Sequence, residues 1–383
     1  MVEVIRRIGV LVAAASLLAA CTGPPSTAPS AAAAGLVAPS GATTEITTTT
    51  ESASLEDRLT AGMDVLLSRQ SRYPRLLRSV EISVGGTTVF EYRQPGLADD
   101  DAVNIFSVTK SVTSALVGIA IGEQLISGVD ATLEDLLPQY ADAMPPAVRA
   151  ITLENLLTMT GGFGDLPDDL LQSGDWVGSI LASPAAGPDE PFQYSDATSH
   201  LLSAIVSTAS GMPTVEYAQP RLLAPLGIPL SPLAEPLPTD SAEAFDAAYE
   251  ATSGVIWPAD PQEYATGFSL LTLTSEHLMQ FGKLYLASGV WEGAQIVPAD
   301  WVAESTRPHV EQAAPERGYG YQWWTLDVHG HVAFAAVGFA GQMVEVLPDL
   351  DAVVVASSDW ADFPINAAEL LDEINLDLVR ELG

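Results

Sequence analysis

From Leu55 the chain repeats apolar residues at helical spacing, with Leu55, Leu59, Met63 and the pair Leu66 and Leu67 on one face, which predicts an opening helix. The next stretch, SVEISVGGTTVFEYR, alternates apolar and polar positions on both sides of Gly85-Gly86, and this predicts a hairpin. Helical patterns broken by Pro and Gly run from Ser107 to about Leu226. Alternation returns in YGYQWWTLDV, HVAFAAV, QMVEVLP and DAVVVASS, each bounded by Gly, Pro or Asp, before a last amphipathic stretch, INAAELLDEINLDLVREL. Strands at both ends with helices between them imply a mixed α/β (α+β) fold. One antiparallel sheet is built from N- and C-terminal strands and flanked by helices, and a large, mainly helical insertion occupies about 107–250. No internal repeat is visible.

Ahead of residue 55 the pattern changes. Arg6 and Arg7 precede an apolar run, Ile8 to Ala20, that is too short to span a bilayer comfortably, so residues 1–20 read as an export signal. The run ends in Leu18-Ala19-Ala20-Cys21, which resembles a bacterial lipobox, and Cys21 is the expected lipidation site; the alternative is an ordinary residue near a cleavage point. A multiply acylated cysteine would supply the second chain that stable anchoring needs. Residues 21–53, rich in Pro, Ala, Ser and Thr, then read as a tether. The expectation is an extracytoplasmic protein held at the cell membrane by lipid. Cys21 is the only cysteine, so no disulfide forms within the chain.

The 48 % hydrophobic content suffices for a core, and the formal charge of −34 excludes nucleic acid as a partner. Only two of the fifteen basic residues are lysines, Lys110 and Lys283. Lys110 follows Ser107 by three residues in FSVTKSVTSALVG, which puts both side chains on one face of a helix. A serine hydroxyl needs a neighbouring base or cation to become a nucleophile, and a lysine in a dry cleft can be either. A helix N-terminus adds free N–H groups and a positive dipole end. The plain alternative for Ser107 is a helix cap.

Segment order extends the picture. FSVTKSVTSALVGIAIGEQLISGVDATLEDLLPQY, ITLENLLTMTGGF, FQYSDATSHLLSAIV, LLAPLGI, LLTLTSEHLMQFGKLYLASGVWEGAQIVPADWVAEST, GYGYQWW and GFAGQMVEVLPDLDAVVV together resemble the serine β-lactamase and penicillin-binding-protein superfamily, over 54–383. The later segments are most similar to the branch of 6-aminohexanoate-dimer hydrolases and related esterases. The resemblance implies a serine hydrolase with no cofactor or metal, acting through an acyl-enzyme on small-molecule esters or amides. The family Y-x-N motif is Tyr194-Ser195-Asp196 here, so the resemblance makes Tyr194 the proton-exchanging phenol. Asp196 is a departure: an ionised aspartate only accepts, and beside Lys110 it favours the charged ammonium. The K-T-G position is Ala336-Val337-Gly338, without the cation that holds a substrate carboxylate in the family. The resemblance assigns the oxyanion hole to the N–H groups of Ser107 and Phe339; Asp196, Gly338, where a backbone must come close, and Trp324 are the residues expected to contact substrate.

Other residues read more plainly. Trp323 and Trp324 should point to opposite faces of a strand, one into the core and the other free to line the cleft. His329 and His331 alternate along a strand, yet no third ligand follows at useful spacing. Gly161-Gly162 reads as a turn, and Phe163, Asp165 and Trp176 are candidates for shaping the cleft. A carboxylic ester is the first expected substrate, a short linear amide the second, and a β-lactam or stem peptide the third. The rival is a non-catalytic envelope lipoprotein that binds a peptide or glycan on the same scaffold, with Asp196 and Ala336 in its favour.

Overall fold

The structure, a computed structural model, describes residues 53–98, 101–183, 185, 187–230, 254–360 and 364–383. The signal, Cys21 and nearly all of the tether lie outside these residues, as do residues 231–250 of the insertion. Helix α1 (Leu55–Arg69) starts where Ser54 and Asp57 cap each other: Asp57 N–H donates to Ser54 Oγ at 3.1 Å, and Ser54 N–H donates to Asp57 Oδ2 at 3.2 Å. Its spaced apolar residues Leu59, Met63 and Leu66 are buried. Strands β1 (Leu77–Val84) and β2 (Thr87–Arg93) meet through Gly85 and Gly86, whose φ angles of 58° and 76° suit a two-residue hairpin turn.

Short strands β3 (Val103–Asn104) and β4 (Thr272–Leu273) pair with each other and bracket the helical insertion. Within it lie α2 (Val108–Gly122), α3 (Leu153–Leu157), α4 (Trp176–Ala182) and α5 (Asp196–Ser210). Helix α6 (Ser275–Leu286) and a small hairpin, β5 (Val290–Trp291) and β6 (Ala294–Gln295), lead to β7 (Val310–Ala314), β8 (Arg317–Tyr319), β9 (Trp324–Val328), β10 (His331–Gly338), β11 (Gln342–Leu347) and β12 (Ala352–Ser358). Helix α7 (Ala367–Asp377) follows.

The main sheet has eight antiparallel strands in the order β2-β1-β12-β11-β10-β9-β8-β7, so the first strand pairs with the last. This is the antiparallel sheet with flanking helices that the alternation implied. Both faces are covered, because successive residues of the central strands point opposite ways. Val344, Val346, Val353 and Val355 face α6 and the insertion, whereas Met343, Leu347, Ala352 and Val354 face α1 and α7.

Two details differ from the sequence pattern. The run YGYQWWTLDV is not one strand: Gln322 takes a left-handed φ of 66° and splits it into the end of β8 and β9. The buried Gln322 side chain donates to the carbonyls of Leu156 and Leu157 at 3.2 and 2.9 Å and accepts from Ser199 Oγ at 2.7 Å, while its own carbonyl accepts from Ser111 Oγ at 2.7 Å. One residue thereby ties α2, α3 and α5 together. His329 and His331 likewise do not alternate along a strand but flank the β9–β10 turn, where Gly330 N–H donates to Asp327 Oδ1 at 2.9 Å and His329 has φ 55°. His329 Nε2 instead meets the Asn375 carbonyl at 2.9 Å. Among the described residues no group of three or more His, Cys, Asp or Glu is placed to hold a metal ion.

Candidate active site

Ser107 precedes the first turn of α2, and its side chain makes no capping bond, so the hydroxyl is not consumed by the helix end. Its N–H, like the others of a helix start, has no partner inside the helix. The residue before it, Phe106, is held at φ 48° by its N–H bond to Asn104 Oδ1 at 2.8 Å. A left-handed phenylalanine costs energy, and the Asn104 clamp at the end of β3 fixes it there. Ser107 is half-buried, whereas Lys110, one turn on, is 1 % exposed.

Lys110 Nζ is 3.0 Å from Ser107 Oγ, 2.6 Å from Asp196 Oδ1 and 3.1 Å from the Phe268 carbonyl. An ammonium has three N–H bonds and no lone pair, and here it has three acceptors. Burial pulls its pKa down, but the Asp196 charge, then Tyr194 and the hydrogen bond to Asp196, outweigh burial, and the net displacement is upward. Lys110 is therefore a charged donor to the serine oxygen. Its Nζ also sits 4.9 Å from the centre of the Tyr194 ring.

Tyr194 and Asp196 reach this point from the start of α5, whose N-cap is Ser195: its hydroxyl accepts from Thr198 N–H at 3.3 Å and donates to the Gly164 carbonyl at 2.7 Å. The cap thus fixes the helix and also ties it to the loop after Gly161-Gly162, where Asp165 lies. Burial, then the Asp196 charge, pushes the Asp165 carboxyl above its usual range. The fourth contributor is the end of β10. A Cβ on Gly338 would meet the Ile105 carbonyl at 2.3 Å and the Ser107 nitrogen at 3.2 Å, so only glycine lets that strand come so close. Phe339 follows, with its ring edge-on to Phe106 at 5.3 Å.

Ser107, Lys110, Tyr194, Asp196, Gly338 and Phe339 are thus brought together. Trp324 differs from the cleft wall expected of it: it is 4 % exposed and stacks on Tyr194 with ring centres 5.8 Å apart and planes 11° from parallel. It supports the phenol from behind, together with Tyr319, whose ring is edge-on to both. Trp323 points the other way, into the core beside Phe281, Tyr285 and Phe334. Phe163 and Trp176 are also core residues, at 2 % and 0 % exposed, and do not shape an open cleft. Sequence patterns gave no sign of Phe268, since it acts through its main chain, or of Asn104. His200 carried a weak one, one helical turn after Asp196.

This assembly of a buried lysine, a serine at a helix start and a tyrosine at a second helix start lies on a scaffold whose residues 79–374 match the family model described as Beta-lactamase. The chain belongs to the beta-lactamase family. It is similar to the 6-aminohexanoate-dimer hydrolase of Paenarthrobacter ureafaciens, at 25 % identity over 305 residues that cover 73 % of this chain and 71 % of that one. Among solved structures, it shares the fold of EstCE1, a hydrolase with promiscuous acyltransferase activity, at TM-score 0.66 and 18 % identity over 84 % of this chain and 98 % of that chain. A class C beta lactamase from Rhodobacter sphaeroides matches at TM-score 0.61 and 16 % identity, covering 85 % of this chain and 99 % of that one. Family and relatives make this beta-lactamase-family chain a hydrolase of the serine beta-lactamase type.

Proposed function

We propose that this chain hydrolyses carboxylic esters through an acyl-enzyme on Ser107, with short linear amides as second substrates. The observation that carries this is the Lys110 ammonium, whose three acceptors include the Ser107 hydroxyl. As Oγ attacks the carbonyl carbon, its proton passes to the Tyr194 oxygen, and the Tyr194 proton passes to the leaving oxygen. The carbonyl π pair becomes an oxyanion facing the N–H groups of Ser107 and Phe339, each worth about 10²- to 10³-fold in rate. Collapse expels the alcohol. Water then attacks the ester on Ser107, giving a proton to Tyr194, which returns its own to Oγ and frees the acid.

Substrate charge follows from the walls. Ala336, 2 % exposed, stands where a family cation would hold a carboxylate, and Asp196 and Asp165 add negative charge. Neutral and cationic esters should therefore turn over faster than esters carrying a free carboxylate, and β-lactams rank last. Amides are slower because an amine leaves only once protonated.

A fluorophosphonate probe tests the proposal: peptide mass spectrometry should find the adduct on Ser107, and p-nitrophenyl acetate should be cleaved. An unlabelled protein that cleaves none of a panel of esters, amides and β-lactams would turn the assignment toward the binding role that Asp196 and Ala336 suggest. Trp324→Leu should lower kcat on p-nitrophenyl acetate about 3- to 10-fold by removing the stack behind Tyr194, with KM little changed. An unchanged kcat would mean that Tyr194 needs no such support.

We further propose that the protein is exported and lipidated at Cys21, on the strength of residues 6–21. No helix among the described residues is long and apolar enough to cross a membrane. Cys21→Ser should move the protein from the membrane to the soluble fraction; retention in the membrane would overturn the anchor.

A further inference from the structure

One helical turn beyond Asp196 on α5 lies a second buried couple. His200 Nε2 is 3.0 Å from Asp260 Oδ2, and both residues are 0 % exposed. The other Asp260 oxygen accepts from Gln262 N–H at 2.8 Å and Tyr264 N–H at 2.9 Å, and Asp260 N–H donates to the Tyr264 carbonyl at 2.8 Å. The carboxylate thus closes a tight turn on itself and turns its remaining oxygen to the imidazole Nε2. Through this bond α5 holds the segment that begins at Trp257.

That segment runs directly to the third acceptor of Lys110. Trp257 Nε1 donates to the Thr266 carbonyl at 3.0 Å, Thr266 N–H donates to the Pro258 carbonyl at 2.9 Å, and Thr266 Oγ1 donates to the Ser269 carbonyl at 2.7 Å. Gly267 lies flat on α5, since a Cβ there would be 2.2 Å from the Ser199 carbonyl, and its own carbonyl accepts from Thr113 Oγ1 of α2 at 3.0 Å. Leu270 N–H donates at 3.2 Å to Asn104 Oδ1, the same oxygen that holds Phe106. Between these fixed points is Phe268, its carbonyl on Lys110 and its ring edge-on to the His200 ring at 6.0 Å.

We propose that His200 and Asp260 are a positioning pair for Lys110: they lock the 257–270 segment onto α5 so that the Phe268 carbonyl completes the ammonium's acceptors and aims it at Ser107. This rests on Ser107 as nucleophile and Lys110 as its charged partner. Asp196 and Tyr194 also face Lys110, with Asp165 and Tyr319 beyond them. Losing the carbonyl leaves one N–H of a buried cation without an acceptor, which favours the neutral amine.

The test uses the full chain and the variants His200→Gln, His200→Ala and Asp260→Asn, measuring phosphonylation by a fluorophosphonate per folded molecule from pH 6 to 11. The expected result is a maximal phosphonylation rate about 10- to 100-fold lower, a half-saturating probe concentration within about threefold of wild type, and an alkaline decline that sets in at lower pH. His200→Gln, whose amide N–H can reach Asp260, should lose less than His200→Ala. Rates within about threefold of wild type and an unchanged pH profile in all the variants that fold would overturn the proposal. If wild type takes up no probe, the nucleophile assignment has failed, and hydrogen exchange decides instead. Faster exchange in Asp260→Asn confined to 257–270 then supports the lock, and unchanged protection of the Leu270 N–H refutes it.

Discussion

Replacing Lys110 by methionine should leave a folded protein that fluorophosphonate labels about 10⁴-fold more slowly, a loss of the size seen when one member of a catalytic unit is removed. Methionine keeps the apolar stem of the side chain and deletes the ammonium, so Ser107 stays in place at the start of α2 but loses its cationic neighbour at 3.0 Å. Breaking a buried ion pair usually destabilises by several kcal/mol because the remaining charge is stranded. Here Asp196 is 34 % exposed and can be hydrated, so the fold should survive and the rate can be read. Lys110→Arg should recover little, because a planar fork cannot direct three bonds at the Ser107 hydroxyl, the Asp196 carboxylate and the Phe268 carbonyl. Labelling within about tenfold of wild type for Lys110→Met would remove the cation from the mechanism.

The second large effect concerns stability, on the α7 side of the sheet. Glu345 on β11 is fully buried; its Oε1 accepts from Asn375 Nδ2 at 3.0 Å, while Glu345 Oε2 and Asn375 Oδ1 have no hydrogen-bond partner. A proton on Glu345 gives the couple the donor it lacks. Burial pushes this carboxyl up to about 7 from 4.5; the Asn375 bond and the Arg317 charge oppose the shift, and the Asp372 charge adds to it. The native state therefore binds more protons than the unfolded chain between those values. The stabilisation, about 3 kcal/mol, is complete below about pH 4.5 and disappears as pH rises through 7. Glu345→Gln supplies a permanent donor and no charge, so urea midpoints measured from pH 5 to 8 should fall with pH in wild type and fall less in the variant. Parallel curves would show that Glu345 does not titrate in this window.

How far these residues can be read from sequence depends on whether their signal is local. Leu59, Met63 and Leu66 announce α1 by spacing, and the alternation in HVAFAAV and QMVEVLP announces β10 and β11, because burial on a helix or strand imposes a period. Trp323 and Trp324 separate to opposite sides of the sheet for the same reason. The left-handed backbone at Gln322 and His329 escaped that logic, since tertiary hydrogen bonds and a turn override alternation there. Trp324 was legible as a residue near the site but not as a prop for Tyr194, which only the packing of three aromatic rings decides. The Phe268 carbonyl has no signature at all: any residue type could offer it, and what matters is the path of the chain through Gly267.

Because β12 lies between β1 and β11, the strand that joins the two parts of the main sheet is the last of its described strands to be made. Until residue 358 has been made, β1 with β2 and the β7–β11 block are separate ribbons with open edges, prone to pairing wrongly with other chains. Productive folding must therefore wait for β12, and a product truncated before Ala352 should be both inert and sticky.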